Sequence, residues 1–510
     1  MSSVKLKRWH QFALAGLVLT VLYGIHFLCC ARSPLIQIRY LNQQTDMYAN
    51  LLWAKSILDQ GWLNPQPYHP FAAWMEPIGT RNQWIQWWGG GAIFQQSPLY
   101  VYLLSGLLWL NDNLFYVYLL QTVLAMAFCG LIGLIAHRVS GDRRVGWMAF
   151  ILAALYSPFY ACSWPLLRDV LGWTITAVAL LLLLEWDRCE GDRGKQNWLA
   201  GAIGLTLGIG YLARETFLLI IPLVGLMLVI SAVRRRYCRP VICLVCGVLV
   251  ALAPLVVRNA RVGAPLLSSS NRFAEAFISG NVCGTSPNEF VVVIGSYRRI
   301  LERSGGKTIP LVVETIRTHP DAWSFIRLEC LKAASLLDPY EPSDNLNYYF
   351  LENISPPVRW GLRHWMIIIP GLGGLALTLR SKDGRHFWLW LLFLPLAAGV
   401  IVGTPMSRYR QTLALCWIPW AACFLVAMWT DWPRNRRRVG VMAGALVLGW
   451  TACLTVFNRT PRSEYERPGE YETMILFYEQ EGLPDQAERW KELFHEKFPG
   501  LNPGPAAPLH

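Results

Sequence analysis

Charge is what this chain has least of. Only 15% of its 510 residues are charged, where a soluble domain of ordinary composition carries about a quarter. With 54% hydrophobic residues, that shortage excludes a soluble globular enzyme. Nucleotide-binding signatures are missing too: no Walker motif and no Gly-x-Gly-x-x-Gly stands at a strand–helix junction. The basic loops are also too short to hold a nucleotide-binding domain, so any energy must arrive with a substrate already in the membrane. Histidine is scarce, at nine residues, and no His/Asp/Glu cluster has metal-ligand spacing. No cofactor is therefore expected, and a divalent ion is neither implied nor ruled out. The net charge of +13 does not point to nucleic acid, because Lys and Arg gather between apolar runs as cytoplasmic loops do. Most of the 13 cysteines, such as Cys29, Cys129, Cys416 and Cys453, lie inside apolar runs and read as small core residues. Cys243 and Cys246 make a Cys-x-x-Cys inside a predicted span, a poor place for metal or redox work. Cys283 and Cys330 fall in a large loop, where they would pair only in an oxidising space.

What the sequence does have is long apolar runs. They occur at about 11–30, 98–110, 114–136, 145–163, 170–186, 198–213, 216–232, 240–257, 361–379, 386–403, 411–430 and 439–456. The first follows Lys5–Arg8 like a signal peptide, but it is long enough to span and reads as a retained span. Basic segments at 5–8, 137–144, 187–197, 234–239, 380–386 and 434–438 can share the cytoplasmic side only if the run 98–110 does not cross. At about 13 residues that run is too short for a normal span. The expected fold is therefore an all-α polytopic membrane protein with about eleven spans, one re-entrant or juxtamembrane helix and a mixed outer-face loop region. The N-terminus is expected inside and the C-terminus outside. The 24 Trp and 20 Tyr fit interfacial belts, or the lining of a sugar or lipid groove.

The chain is expected to divide into a transmembrane core, 1–457, and a polar tail, 458–510. The core carries a first outer loop at 33–113 and a large outer loop at 258–360. Tyr471–Pro499 in the tail has helix-pair character and weakly resembles one tetratricopeptide repeat. A single repeat cannot bury its own face, so it is expected to dock on something, a protein partner being one option. Pro499–Pro508 is expected to be disordered.

The polar residues at the outer ends of the spans carry the functional signal. Asp46 and Tyr48 open an amphipathic helical pattern after the first span. Gln95-Gln-Ser-Pro-Leu-Tyr100 starts the short run. Arg168-Asp169 heads a later span, followed along the chain by Arg214-Glu215, Arg258-Asn259 and Ser407-Arg-Tyr-Arg410. Taken one at a time, Asp46 reads equally as a helix cap and each Arg as an interfacial anchor. Together they place two carboxylates and several guanidiniums at one membrane depth, and outer-face arginines run against the usual inside excess. That set suits group transfer from a lipid phosphate: arginines stabilise the leaving phosphate and a carboxylate takes the proton of the attacking hydroxyl.

At this point the chain resembles a polytopic GT-C glycosyltransferase. More closely, it is similar to the bacterial group related to protein O-mannosyltransferases and the lipid A aminoarabinose transferase. The resemblance runs over roughly 10–430. Thr45-Asp46-Met-Tyr48 matches the family's acidic residue early in the first outer loop, with Met47 where many members carry a second acid. Gln96-Ser-Pro-Leu-Tyr100 matches its Lys-Pro-Pro-Leu-Tyr element, with Gln96 in place of the Lys. Arg168-Asp169, Gly208–Pro222 with Arg214, Arg258-Asn259, Glu341-Pro-Ser-Asp-Asn345-Leu-Asn-Tyr-Tyr349 and Arg408-Tyr-Arg410 match further segments in order.

The resemblance implies a polyprenyl-phosphate sugar donor, a lipid, glycan or protein acceptor, and an active site on the periplasmic face of a bacterial inner membrane. It implies Asp46 as base or acceptor-orienting group and Asp169 as an orienting group. Arg408, Arg410, Arg214 and Arg258 would hold the phosphate, and Tyr48, Gln96, Tyr100, Glu341 and Asn345 would line the substrate. A polysaccharide polymerase or ligase would share this chemistry. A transporter of lipid-linked sugars, or a scaffold, would place its polar groups differently.

Overall fold

A computed structural model describes residues 2–37, 45–189, 191–342, 345–379, 384–461 and 464–503, without the side chains of 2–12 and 36. The expectations placed on the Lys5–Arg8 side chains, 38–44, Ser343 and Asp344, 380–383 and the last residues of the tail lie outside that description.

The described chain is helical from end to end. The first part runs through α1 (Ser2–Ala31), α2 (Asp46–Gln60), α3 (Arg81–Trp87), α4 (Leu99–Leu110), α5 (Leu114–Ser140), α6 (Arg143–Ala154), α7 (Ser157–Ser163) and α8 (Asp169–Arg188). Next come α9 (Arg193–Ala213), α10 (Phe217–Arg235) and α11 (Arg239–Val262). The large loop folds into α12 (Phe273–Asn281), α13 (Ile294–Ser304), α14 (Thr308–Ile316), α15 (Ala322–Ser335), α16 (Tyr348–Glu352) and α17 (Pro356–Trp360). Three apolar helices, α18 (His364–Leu379), α19 (Phe387–Val402) and α20 (Ser407–Asp431), precede α21 (Arg436–Thr455) and the tail pair α22 (Pro468–Gln480) and α23 (Pro484–Lys497).

Among the described residues, eight helices are long and apolar enough to cross a membrane: the apolar part of α1, then α5, α8, α10, α11, α19, α20 and α21. The other predicted runs are helical as well. The run 198–213 lies in α9, 361–379 forms the 16-residue α18, and 145–163 is divided between α6 and α7. The division has a local cause. Leu362 N–H donates to Leu155 O at 2.6 Å and Ser157 N–H donates to Leu362 O at 2.9 Å, so a distant segment takes over the backbone bonds where the helix would continue. The short run at 99–110 is α4, about 18 Å long and too short to cross about 30 Å of hydrocarbon. It folds back along the start of α5, with the Tyr100 hydroxyl donating to Gln121 Oε1 at 2.6 Å.

Turn chemistry sets the remaining junctions. Asn113 Oδ1 caps α5 by accepting from Phe115 N–H at 2.8 Å, and Gly141 ends it at φ +73°. Asp142, Asp192 and Asn435 cap α6, α9 and α21 with their side chains. Basic junctions at 138–144, 188–195, 234–239 and 434–438 thus alternate along the chain with junctions near 164–168, 214–216, 263–272 and 403–408. Cys283 and Cys330 are exposed, unpaired thiols.

Small residues bring α9 and α11 together. A Cβ on Gly204 would sit 2.0 Å from Leu244 O, and one on Gly247 would sit 2.3 Å from Gly201 O. Backbones that close leave no room for side chains, and in a bilayer such packing is a main source of helix–helix affinity. Gly204→Val is therefore expected to cost at least the ~1–3 kcal/mol of an overpacked core, read as a lower thermal midpoint in detergent. Gly225→Ala, whose Cβ would meet only Leu244 Cδ2 at 4.0 Å, should leave that midpoint unchanged.

Candidate active site

Five charged side chains from five parts of the chain meet at one end of the helix assembly. Asp46 is the first residue of α2, where Thr45 does the capping through its hydroxyl, which accepts from Tyr48 N–H. The Asp46 carboxylate is left to turn away from the helix. It accepts from Arg272 at 3.1 and 3.3 Å and from Arg408 at 3.0 Å. Arg408, in the first turn of α20, also approaches Asp169 Oδ2 at 3.8 Å. Asp169 opens α8 and pairs with Arg214 at 3.1 Å. Arg214 reaches this point because Gly172 leaves a gap: a Cβ there would lie 2.3 Å from Arg214 Cδ. Its other terminal nitrogen donates to Thr412 Oγ1 at 3.1 Å. Tyr409 lies between the two cations, its ring 4.8 Å from the Arg408 guanidinium and 5.9 Å from that of Arg214.

Among the described residues, three guanidiniums of the cluster contact the carboxylates of Asp46 and Asp169. A third carboxyl, Glu275, faces Arg272, but it is held back by Gln95 Nε2 at 3.1 Å, and burial pushes its pKa up toward the neutral acid. Burial also works to raise Asp46, yet the Arg272 and Arg408 guanidiniums outweigh it and hold that carboxyl well below the usual carboxylate range. The same pairing raises the pKa of Arg272 above its ordinary value, against the burial that would lower it. Asp169 and Arg214 are buried, with side chains 3% and 8% exposed, whereas Asp46 at 19% and Arg272 at 16% form the open side. A cavity of about 30 Å³ adjoins the cluster, lined by Cys162, Asp169, Asn345, Tyr348, Ser407 and Arg408.

Other predicted residues surround this centre. Asn345 Oδ1 accepts from Asp46 N–H at 2.7 Å. Glu341 accepts from Ser407 Oγ at 2.5 Å and Arg410 at 3.0 Å, behind Arg408. Tyr100 is buried on Gln121, and Gln96 is buried beside Ser97. Tyr48 is half-buried, in the first turn of α2. Two of the predicted arginines are not brought to the centre. Arg258 donates to Leu63 O at 2.9 Å, Asn64 O at 2.8 Å and Ala92 O at 2.6 Å, and lies 3.9 Å over the Phe94 ring, fastening the first loop. Arg410, fully buried, donates to Ser335 O, Asp338 O and Tyr340 O as well as to Glu341, fastening the large loop. Arg272 is the residue the sequence reading misses. Its one available signal is position, at the end of the Ser268-Ser-Ser-Asn271 stretch that leaves α11.

Residues 95–258, roughly a third of the chain, match the family model described as dolichyl-phosphate-mannose-protein mannosyltransferase. The chain resembles the GT-C glycosyltransferases. The matched stretch contains Gln96, Tyr100, Asp169, Arg214 and Arg258, and stops short of Arg272 and Arg408. No curated protein matches. Among solved structures, the apo oligosaccharyltransferase of Archaeoglobus fulgidus is 13% identical with a TM-score of 0.47, covering 98% of this chain and 62% of that one. The same organism's AglB, solved with an inhibitory peptide and a dolichol-phosphate, is 14% identical with a TM-score of 0.41, covering 98% of this chain and 61% of that one. This GT-C-like chain thus spans about three fifths of the length of the oligosaccharyltransferase.

Glu215 ties the surrounding segments together. It accepts from Arg168 at 2.8 Å, Ser97 N–H at 3.0 Å and Ser270 Oγ at 2.8 Å. Burial raises its pKa, but Arg168 dominates and pushes it down to about 2. A carboxyl depressed in the folded state gives stability that is full above its ordinary value and is lost as pH falls through the depressed one. Between about pH 4.5 and 2 the parent should therefore lose thermal stability more steeply than Glu215→Gln, in unfolding scans across that range.

Proposed function

We propose that the chain is a membrane glycosyltransferase that moves a sugar from a polyprenyl-phosphate donor to an acceptor hydroxyl at the extracytoplasmic face. The observation that supports this best is the convergence of Arg214, Arg272 and Arg408 on Asp46 and Asp169. Three guanidiniums gathered at the ends of apolar helices suit an incoming lipid phosphate. Arg408 and Arg272 are the natural phosphate ligands, being the pair nearest the open side. Arg214 and Asp169 hold Arg408 from behind.

The same geometry makes the base conditional. A carboxylate gripped by two guanidiniums is a weak proton acceptor, because its charge is already stabilised. Phosphate oxygens arriving at Arg272 and Arg408 compete for those donors and return basicity to Asp46. The acceptor O–H proton then passes to the Asp46 carboxylate as the acceptor oxygen bonds to the sugar's anomeric carbon. The bond from that carbon to the phosphate oxygen breaks, and its electron pair leaves with the lipid phosphate between the arginines. A single displacement of this kind inverts the sugar's configuration. Asn345, bonded to Asp46 N–H, fixes the start of α2 and so the carboxylate's position.

A polysaccharide polymerase or ligase would use the same centre with a longer donor. A lipid-linked sugar transporter is disfavoured, because the charges sit at the ends of helices rather than at their middles.

Transfer of labelled sugar from membrane lipid-linked donors tests the reading at matched expression. Asp46→Asn should lower kcat about a hundredfold or more. Arg408→Ala should fall at least as far. The acid limb of kcat should lie at higher pH than that of kcat/KM for the donor, since only the donor complex frees the carboxylate. A fully active Asp46→Asn would remove the base from this position.

A further inference from the structure

A large cleft lies away from the charge cluster. It has a volume of about 630 Å³ and is lined by Tyr465 and Glu466, by Glu496, Lys497 and Phe498 at the end of α23, and by residues at the ends of α18 and α21. Its walls combine aromatic rings with two ion pairs. Trp365 and Tyr349 contribute ring surface. Arg363 pairs with Glu352 at 2.6 Å, and Lys497 pairs with Glu466 at 2.7 Å. Trp365 is half-buried.

We infer that this cleft is a carbohydrate-binding subsite that holds a neutral oligosaccharide on the acceptor, which deepens the transferase reading and rests on it. The volume falls within the range of about 300–1,000 Å³ typical of small-ligand sites, which also accommodates a short oligosaccharide. The charge pattern selects against anions. Arg363 and Lys497 each face a carboxylate and Glu496 adds a further one to the lining, so an anion gains no free partner and would disrupt an existing pair. Sugar hydroxyls suit such walls because each one both donates and accepts: they donate to Glu352 and Glu466 and accept from Arg363 and Lys497. The apolar C–H face of a pyranose lies against an aromatic ring, which Trp365 supplies.

The cleft is also coupled to the reaction centre. The Tyr349 hydroxyl in its wall accepts from Glu341 N–H at 2.9 Å, and the Glu341 carboxylate accepts from Ser407, the neighbour of Arg408. Hydrogen bonds through Tyr349, Glu341 and Ser407 thus link the cleft wall to the residue beside Arg408.

The test uses the full-length protein in detergent and begins with direct binding, which does not depend on transfer. Neutral tri- to pentasaccharides of glucose, galactose, mannose and N-acetylglucosamine are titrated by saturation-transfer NMR and calorimetry. A uronic-acid oligosaccharide and phosphatidylglycerol nanodiscs are run beside them. At least one neutral glycan should bind, and Trp365→Ala should weaken it about tenfold, the loss of one stacking contact. Glu352→Gln/Arg363→Met, which removes a pair without stranding a charge, should weaken it similarly, whereas Asp46→Asn should bind as the parent does. In transfer assays, Trp365→Ala should raise KM for a glycan acceptor while leaving kcat unchanged. The subsite is overturned if no neutral glycan binds, if the acidic glycan or the lipid binds better, or if both folded variants bind like the parent. Retained binding with no transfer by the parent would instead leave the subsite standing and sink the transferase reading.

Discussion

The run of ion pairs from Arg272 through Asp46, Arg408 and Asp169 to Arg214 is the constraint on which the rest of this end of the molecule depends. Taking charges out of water costs several kcal/mol per ion, recovered only where the geometry is good and every partner is in place. The partners here come from the start of α2, the start of α8, the end of α9, the approach to α12 and the start of α20. No two of these are neighbours in sequence. A shift of any one would strand a buried charge, at a cost of about 3–5 kcal/mol. The cluster therefore fixes how the helix ends are arranged, and the packing below must comply. Gly172 is one sign of that compliance, since its missing side chain is where the Arg214 stem runs.

Burial divides the cluster into two parts. Asp169 and Arg214, deep and paired, serve as the anchor. Asp46 and Arg272, on the open side, are the members whose pairing can be exchanged. The division follows burial, and it needs no change in the backbone.

Much of this could be read from the sequence, for a definite reason. In a chain so poor in charge, a carboxylate or guanidinium at the end of an apolar run stands out, and Asp46, Asp169, Arg214 and Arg408 were visible in that way. The family resemblance rests on the same positions, and the matched stretch contains two of them. Arg258 and Arg410 look identical to Arg214 and Arg408 by that criterion, yet their guanidiniums are spent on backbone carbonyls of loops more than 60 residues away in sequence. Sequence gives the depth of an arginine but not the direction its fork turns. Arg272 was hidden for the opposite reason. It lies in a long loop among many polar residues, with no period or apolar run to set it apart. The division of the run 145–163 was hidden as well, because the segment that causes it, at Leu362, is some 200 residues distant.

The tail completes the argument from the solvent side. Glu470 accepts from Asn347 N–H at 2.8 Å, Asn347 Nδ2 donates to Tyr465 O at 2.8 Å, and Tyr465 stacks on both Tyr349 and Tyr340. From the membrane side, Arg410 holds Tyr340 O and Glu341. Tyr340 and Glu341 on one side and Asn347 and Tyr349 on the other are thus held in place, and Asn345 Oδ1 accepts from Asp46 N–H. The tail docks within its own chain, on the loop that sets the geometry of the site. The end of α23 also lines the 630 Å³ cleft, so the docked tail borders both that cleft and the loop that meets Asp46.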